Sequence, residues 1–124
     1  MDCVNFLIVD FGDDLVLSFS FDDGTKYGVD GFCIQRTPKL EFALSEEERG
    51  PAIDWTDDDR IILLRSCTFD RNNITLNTDY GIEQFDIVKI ADSEFADMVK
   101  VLKKMNFDNA FELIDNRQQQ NGFQ

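Results

Sequence analysis

Leu15-Val16-Leu17-Ser18-Phe19-Ser20-Phe21 sets Leu15, Leu17, Phe19 and Phe21 on one side of an extended chain and Val16, Ser18 and Ser20 on the other. Successive side chains of a pleated strand point to opposite faces, so this alternation predicts a strand with one buried face. Upstream, residues 4–9 are apolar and β-branched, and Asp10-Phe11-Gly12-Asp13-Asp14 separates the two runs, which together predict a β-hairpin. Downstream, Asp22-Asp23-Gly24 is a turn signal, because glycine accepts φ > 0 and aspartate can bond its own backbone. Gly31-Phe32-Cys33-Ile34-Gln35-Arg36 and residues 39–44 follow as shorter strands separated by Pro38.

Residues 45–59 hold no sustained period, contain Gly50-Pro51 and carry seven acids against one arginine. They predict a long loop, with a helical turn at Ser45-Glu46-Glu47-Glu48, where serine caps and glutamates suit the positive end of the turn. Strands over residues 60–69 and 73–77, joined by Asp70-Arg71-Asn72, and a third over 82–90 predict a meander. The period then changes. Phe95, Met98, Val99, Leu102 and Met105 form one apolar stripe of a helix over residues 93–105, with Ser93 or Asp92 as cap and Lys100, Lys103 and Lys104 toward its end. Asn106-Phe107-Asp108 separates it from a second short helix carrying Ala110, Phe111, Leu113 and Ile114. The expected fold is α+β: an antiparallel sheet of about six or seven strands with one or two C-terminal helices packed on one face. Residues 1–115 make a single domain, and the glutamine-rich residues 116–124 are expected to be a disordered polar tail.

The composition agrees with one domain: 124 residues, 43% hydrophobic, with twelve phenylalanines to fill a core. Twenty-five acids against twelve bases give a net charge of −13, with no histidine. That balance disfavours direct contact with nucleic acid or an anionic membrane, and it favours a basic partner, although an acidic surface also serves solubility alone. Cys3, Cys33 and Cys67 are an odd number in strand-like runs without a C-x-x-C pair, which predicts structural thiols rather than disulfides. The acidic N-terminus and the short apolar run after it do not resemble a signal peptide or a span, so the expected location is the cytoplasm.

The absence of histidine removes the commonest general base and neutral metal ligand. Gly24-Thr25-Lys26-Tyr27-Gly28 lacks the spacing and the following helix of a phosphate loop. Asp57-Asp58-Asp59 is the one place to look for a cation, yet consecutive aspartates point apart, whereas calcium loops alternate their ligands around a glycine. The residues therefore predict no enzyme, no cofactor and no metal site. What they offer is a one-sided charge distribution. Residues 1–62 carry 15 acids and 5 bases, residues 63–124 carry 10 and 7, and residues 41–59 alone hold eight acids and one base. Glu46, Glu47, Glu48, Asp54, Asp57, Asp58 and Asp59, with Trp55 among them, are the candidate partner-binding residues, since tryptophan is a frequent interface anchor. The plainer reading is a solvated face with Trp55 in the core.

Gly31-Phe32-Cys33-Ile34-Gln35-Arg36, the strand-turn-strand over residues 61–77 and the strand and helix over residues 85–105 resemble a family of bacterial immunity proteins, the antidotes of polymorphic toxin and contact-dependent growth inhibition systems. The resemblance covers about 75 residues and includes no catalytic signature. In that family the segment after the Gln-Arg pair is acidic and glycine-rich; here it reads Glu41-Phe42-Ala43-Leu44-Ser45-Glu46-Glu47-Glu48-Arg49-Gly50-Pro51. The resemblance implies a protein that binds and neutralises the C-terminal toxin domain of its own system, often a nuclease with a basic substrate-binding surface. An alternative class, a non-catalytic acidic adaptor or assembly subunit of another basic protein, would show the same composition.

Overall fold

The structure, a computed structural model, describes residues 2–21, 31–55 and 60–117. The turn expected at Asp22-Asp23-Gly24 and the Gly24 to Gly28 segment lie outside them. The strands are β1 (Asp2–Cys3), β2 (Phe6–Phe11), β3 (Leu15–Ser20), β4 (Gly31–Arg36), β5 (Ala52–Trp55), β6 (Ile62–Phe69), β7 (Asn73–Thr78), β8 (Gly81–Asp86) and β9 (Glu112–Asp115). One α-helix, α1 (Asp92–Met105), lies between β8 and β9.

The hairpin β2–β3 forms as its alternation dictates, with Leu15, Leu17 and Phe19 buried and Val16 and Ser18 half-buried. The meander β6–β7–β8 is antiparallel throughout. The sheet runs β1-β8-β7-β6-β5-β4-β3-β2, with β9 also paired to β6. Both ends of this path belong to the same short stretch of backbone. Val4 N–H donates to the Asp86 carbonyl at 2.8 Å, and the next amide, Asn5, donates to the Ser20 carbonyl at 2.8 Å. The N-terminal segment thus leaves β8 and joins β3 within one residue, closing the pairing path, and fully buried Val4 sits at the switch. Strand β6 serves two neighbours in turn: Ile62 and Leu63 pair with β5, and Ser66–Phe69 pair with β9 beyond a register shift between Leu64 and Ser66.

Five expectations are corrected. Among the described residues the sheet has nine strands and is mixed, because β1–β8 and β6–β9 are parallel. Residues 110–114 do not make a second helix. Asn109, at φ 58°, turns the chain back, Phe111 is buried, and the next four residues satisfy the edge that β6 leaves open past its bulge. Residues 39–44 are not a strand: Pro38 fixes the φ of an initiating position, and Pro38–Ala43 winds as a 3₁₀ helix closed by Leu44 N–H to the Glu41 carbonyl at 2.9 Å. The cap of α1 is neither Ser93 nor Asp92 but Ala91, whose amide donates to Glu94 Oε1 at 2.8 Å. Residues 45–59 also contain β5, although the helical turn expected there is present as the 3₁₀ helix Glu46–Glu48.

Helix α1 lies over β2 and β3 and buries Phe95, Met98, Val99, Leu102 and Met105, the stripe read from its spacing. Glu94 Oε2 accepts the Leu7 amide at 3.0 Å, so the residue that completes the helix start also fixes it to β2. Inside the sheet, Phe32 stacks on Phe19 at 4.6 Å and lies 4.7 Å from Phe85. Gly31 is required where β4 meets β3, because a Cβ there would stand 2.0 Å from the Phe19 carbonyl oxygen. Asn116 and Arg117, expected as the start of the tail, still dock: the Asn116 amide donates to the Phe69 carbonyl at 2.8 Å, and Arg117 lies 5.2 Å from the Phe95 ring. Among the described residues no helix is long and apolar enough to cross a membrane.

Candidate functional site

The alternation Phe32, Ile34, Arg36 carries a charge onto the buried face of β4, and the Arg36 side chain is wholly inaccessible. Burial opposes its charge, and the hydrogen bonds it donates to Asp108 and then Glu41 outweigh that opposition and raise its pKa. All five guanidinium donors are used. Nε and one Nη meet Glu41 Oε2 and Oε1 at 2.9 and 2.8 Å, both Nη groups meet Asp108 at 2.8 Å, and one also donates to the Met105 carbonyl. Phe107 covers the cation at 4.4 Å. The hydrogen bond from Arg36 is the main reason the Asp108 carboxyl titrates below its ordinary range. One side chain therefore joins the end of β4, the 3₁₀ helix Pro38–Ala43 and the C-terminal end of α1.

The acidic turn Glu46–Glu48 extends from this corner, with all three glutamates exposed. Ser45 Oγ donates to Glu48 Oε1 at 3.0 Å, and Arg49 Nε to the Leu44 carbonyl at 3.2 Å. Gly50, at φ +138°, reverses the chain into β5, a conformation that side chains rarely adopt. On β5, Asp54 is exposed and stands opposite Cys33 of β4. Burial, and secondarily the Asp54 charge, pushes the Cys33 thiol up, while burial alone pushes Cys67 up to about 12. Protonated, unpaired thiols at these positions fill space rather than react.

A groove of about 500 Å³ runs between Pro38–Ala43 and the start of β6. Glu41, Glu48, Asp54, Arg36 and Arg60 line it, with Leu40, Leu44 and Ile61 supplying apolar wall. A second depression of about 300 Å³ on the other side of the turn is lined by Glu46, Glu47, Arg49, Arg65 and Asp108. The structure thus brings Glu46, Glu47, Glu48 and Asp54 to one corner of the molecule. Among the described residues none of the four forms an ion pair, whereas Arg36, Lys39, Arg65 and Arg71 are each committed to another acid.

Trp55 does not join them. Adjacent strand residues face opposite ways, so with Asp54 outward the indole turns inward, 4.6 Å from Phe32 and 6.0 Å from Phe85. It stays half-buried, beside a small cavity shared with Arg60, Tyr80 and Glu83. Asp57, Asp58 and Asp59 lie outside the described residues. Sequence reasoning missed the groove residues Leu40, Leu44 and Ile61. The spacing Leu40, Phe42, Leu44 reads as the buried face of a strand, but in a 3₁₀ helix of three residues per turn it fans out, leaving all three exposed. Among the described residues no group of three or more Cys, Asp or Glu is placed to hold a metal ion. No protein family, curated protein or solved structure matches the chain.

Proposed function

We propose that this protein is a non-catalytic inhibitor of the immunity type, which binds a basic toxin domain through the corner bearing Glu46, Glu47, Glu48 and Asp54. The observation that carries the reading is the exposure of four neighbouring carboxylates with no cation paired to them among the described residues. Side chains so placed keep their full potential for a partner, and the net charge of −13 adds a long-range field of the same sign. An acidic surface of this kind can occupy the place where a nuclease would hold phosphates. Oppositely charged proteins associate at up to ~10⁸–10⁹ M⁻¹s⁻¹ at low salt, which suits an antidote that must act before its toxin does. The resemblance of the β4, β6–β7 and β8–α1 stretches to immunity proteins supports the same function, with action in the cytoplasm beside the toxin's target.

The test is a titration of the purified cognate toxin domain, at low and high salt, against wild type, the variant Glu46→Gln/Glu47→Gln/Glu48→Gln and the variant Asp57→Asn/Asp58→Asn/Asp59→Asn. The expected result is a tight complex whose association slows by about tenfold in the glutamate variant and loses much of its salt dependence, with unchanged thermal midpoints. Coincident affinities and salt slopes in all three folded proteins would show that the acidic corner is only solvated surface.

A further inference from the structure

We propose that the groove beside the acidic turn seats one large apolar side chain of the partner, with Lys or Arg residues flanking that side chain in the partner sequence and meeting Glu48 and Asp54; this rests on the reading that the partner is a basic protein. The groove is concave, its volume of about 500 Å³ falls in the usual range of binding pockets, and Ile61, Leu40 and Leu44 within it are 81%, 59% and 38% exposed. Three exposed aliphatic side chains in one depression are an unfilled apolar surface. Its rim selects the occupant. Glu48 and Asp54 repel acidic segments and anionic lipid, and a second copy of this chain brings −13 of like charge.

Arg36 and Arg60 also line the groove, but Glu41, Glu48 and Asp54 outnumber them there, so the lining stays acidic. Arg36 is enclosed by Glu41 and Asp108, and the Arg60 guanidinium lies 4.2 Å over the Tyr80 ring. One wall is anchored before binding, because Arg36 clamps Glu41 one residue from Leu40, which reduces the ordering that has to accompany association. An apolar anchor that displaces water from this site also lowers the local dielectric around the rim carboxylates and strengthens their pairing with flanking cations. Basic segments that lack the apolar anchor gain only the screened, exposed part of that interaction.

The experiment titrates the ¹⁵N-labelled protein with two synthetic capped peptides, Lys-Lys-Leu-Phe-Lys-Lys and Lys-Lys-Gly-Gly-Lys-Lys, following backbone amide shifts. Burying one leucine or phenylalanine predicts at least about tenfold tighter binding of the first peptide, with shifts centred on Leu40, Leu44 and Ile61. Ile61→Ser, a change at an exposed position that leaves the fold intact, should remove most of that advantage and leave the second peptide's weak, salt-dependent binding untouched. Equal affinities for the two peptides, no binding of the first, or shifts away from the groove would overturn the inference. The basic-partner reading is decided separately, by whether the toxin domain binds wild type in a salt-dependent way that the glutamate variant loses.

Discussion

Arg36→Met tests how the corner beneath the groove is held. The substitution keeps much of the side-chain length and apolar stem but deletes five hydrogen bonds at once. Asp108 is 39% exposed at its side chain and can be rehydrated, so it carries the smaller share of the loss. The Glu41 side chain is only 11% exposed, and with the Met105 carbonyl it is left with an uncompensated desolvation. Breaking a buried pair from one side typically costs about 3–5 kcal/mol. With an m-value of ~2 kcal/mol per M urea, the midpoint should fall by about 1.5–2.5 M. The only tryptophan, Trp55, is packed on Phe32 and reports unfolding by fluorescence. The double variant Arg36→Met/Glu41→Met removes the stranded carboxylate and should recover a substantial part of the loss, since apolar replacements of buried pairs are often tolerated. A single-variant loss below about 1 kcal/mol, or a double variant weaker than the sum of its parts, would refute the idea that Arg36 is the clamp.

Leu102→Ala, at a fully buried position of α1, should cost about 2–5 kcal/mol in the same assay, and a loss below about 0.5 kcal/mol would mean that the helix does not rest on the sheet through that stripe. Glu94→Ala removes the acceptor of both the Ala91 and Leu7 amides and should destabilise by about 1–3 kcal/mol, with Glu94→Gln retaining part because its carbonyl still accepts. The Asp108 carboxyl is depressed from its ordinary 3.8 by Arg36, so its contribution is complete above about pH 5 and disappears as pH falls through and below that value. Asp108→Asn should therefore flatten the acid limb of the stability profile; an unchanged limb would assign the acid sensitivity to other carboxylates.

The strands with clean alternation and the helix with a five-residue stripe were legible, because each owes its form to a periodic apolar pattern: Leu15 to Phe19, Ile74 and Leu76, and Phe95 to Met105. Short elements were not. Strand β5 is four residues set in an acidic stretch, and it forms because β4 and β6 offer edges on both sides. Strand β9 carries Leu113 and Ile114, and with Phe111 just before it their spacing suits a helix; only the open edge of β6 selects the extended form. The buried charge has a visible signal in the sequence, since Arg36 continues the alternation Phe32, Ile34. Of the candidate site, the carboxylates were legible as composition. Their separation from Trp55 follows from strand geometry, but only once β5 is recognised. The apolar groove needed tertiary structure, because its walls come from a 3₁₀ helix and the start of β6.

The closing of the sheet by the N-terminal segment has a consequence for the growing polypeptide. Its partner on one side, β3, is complete at Ser20, but its partner on the other, Phe85–Asp86, is made much later. At ~5–20 residues per second the interval is roughly 3–13 s, during which β2 is held by one hairpin and its remaining edge awaits α1. Nascent chains on the same messenger meet at that edge, where unpaired strands are prone to join. Asp10, Asp13 and Asp14, exposed at the hairpin tip, put like charge where such a contact would begin. Part of the acidity of this chain can thus serve the seconds of its making, independently of any partner it meets once finished.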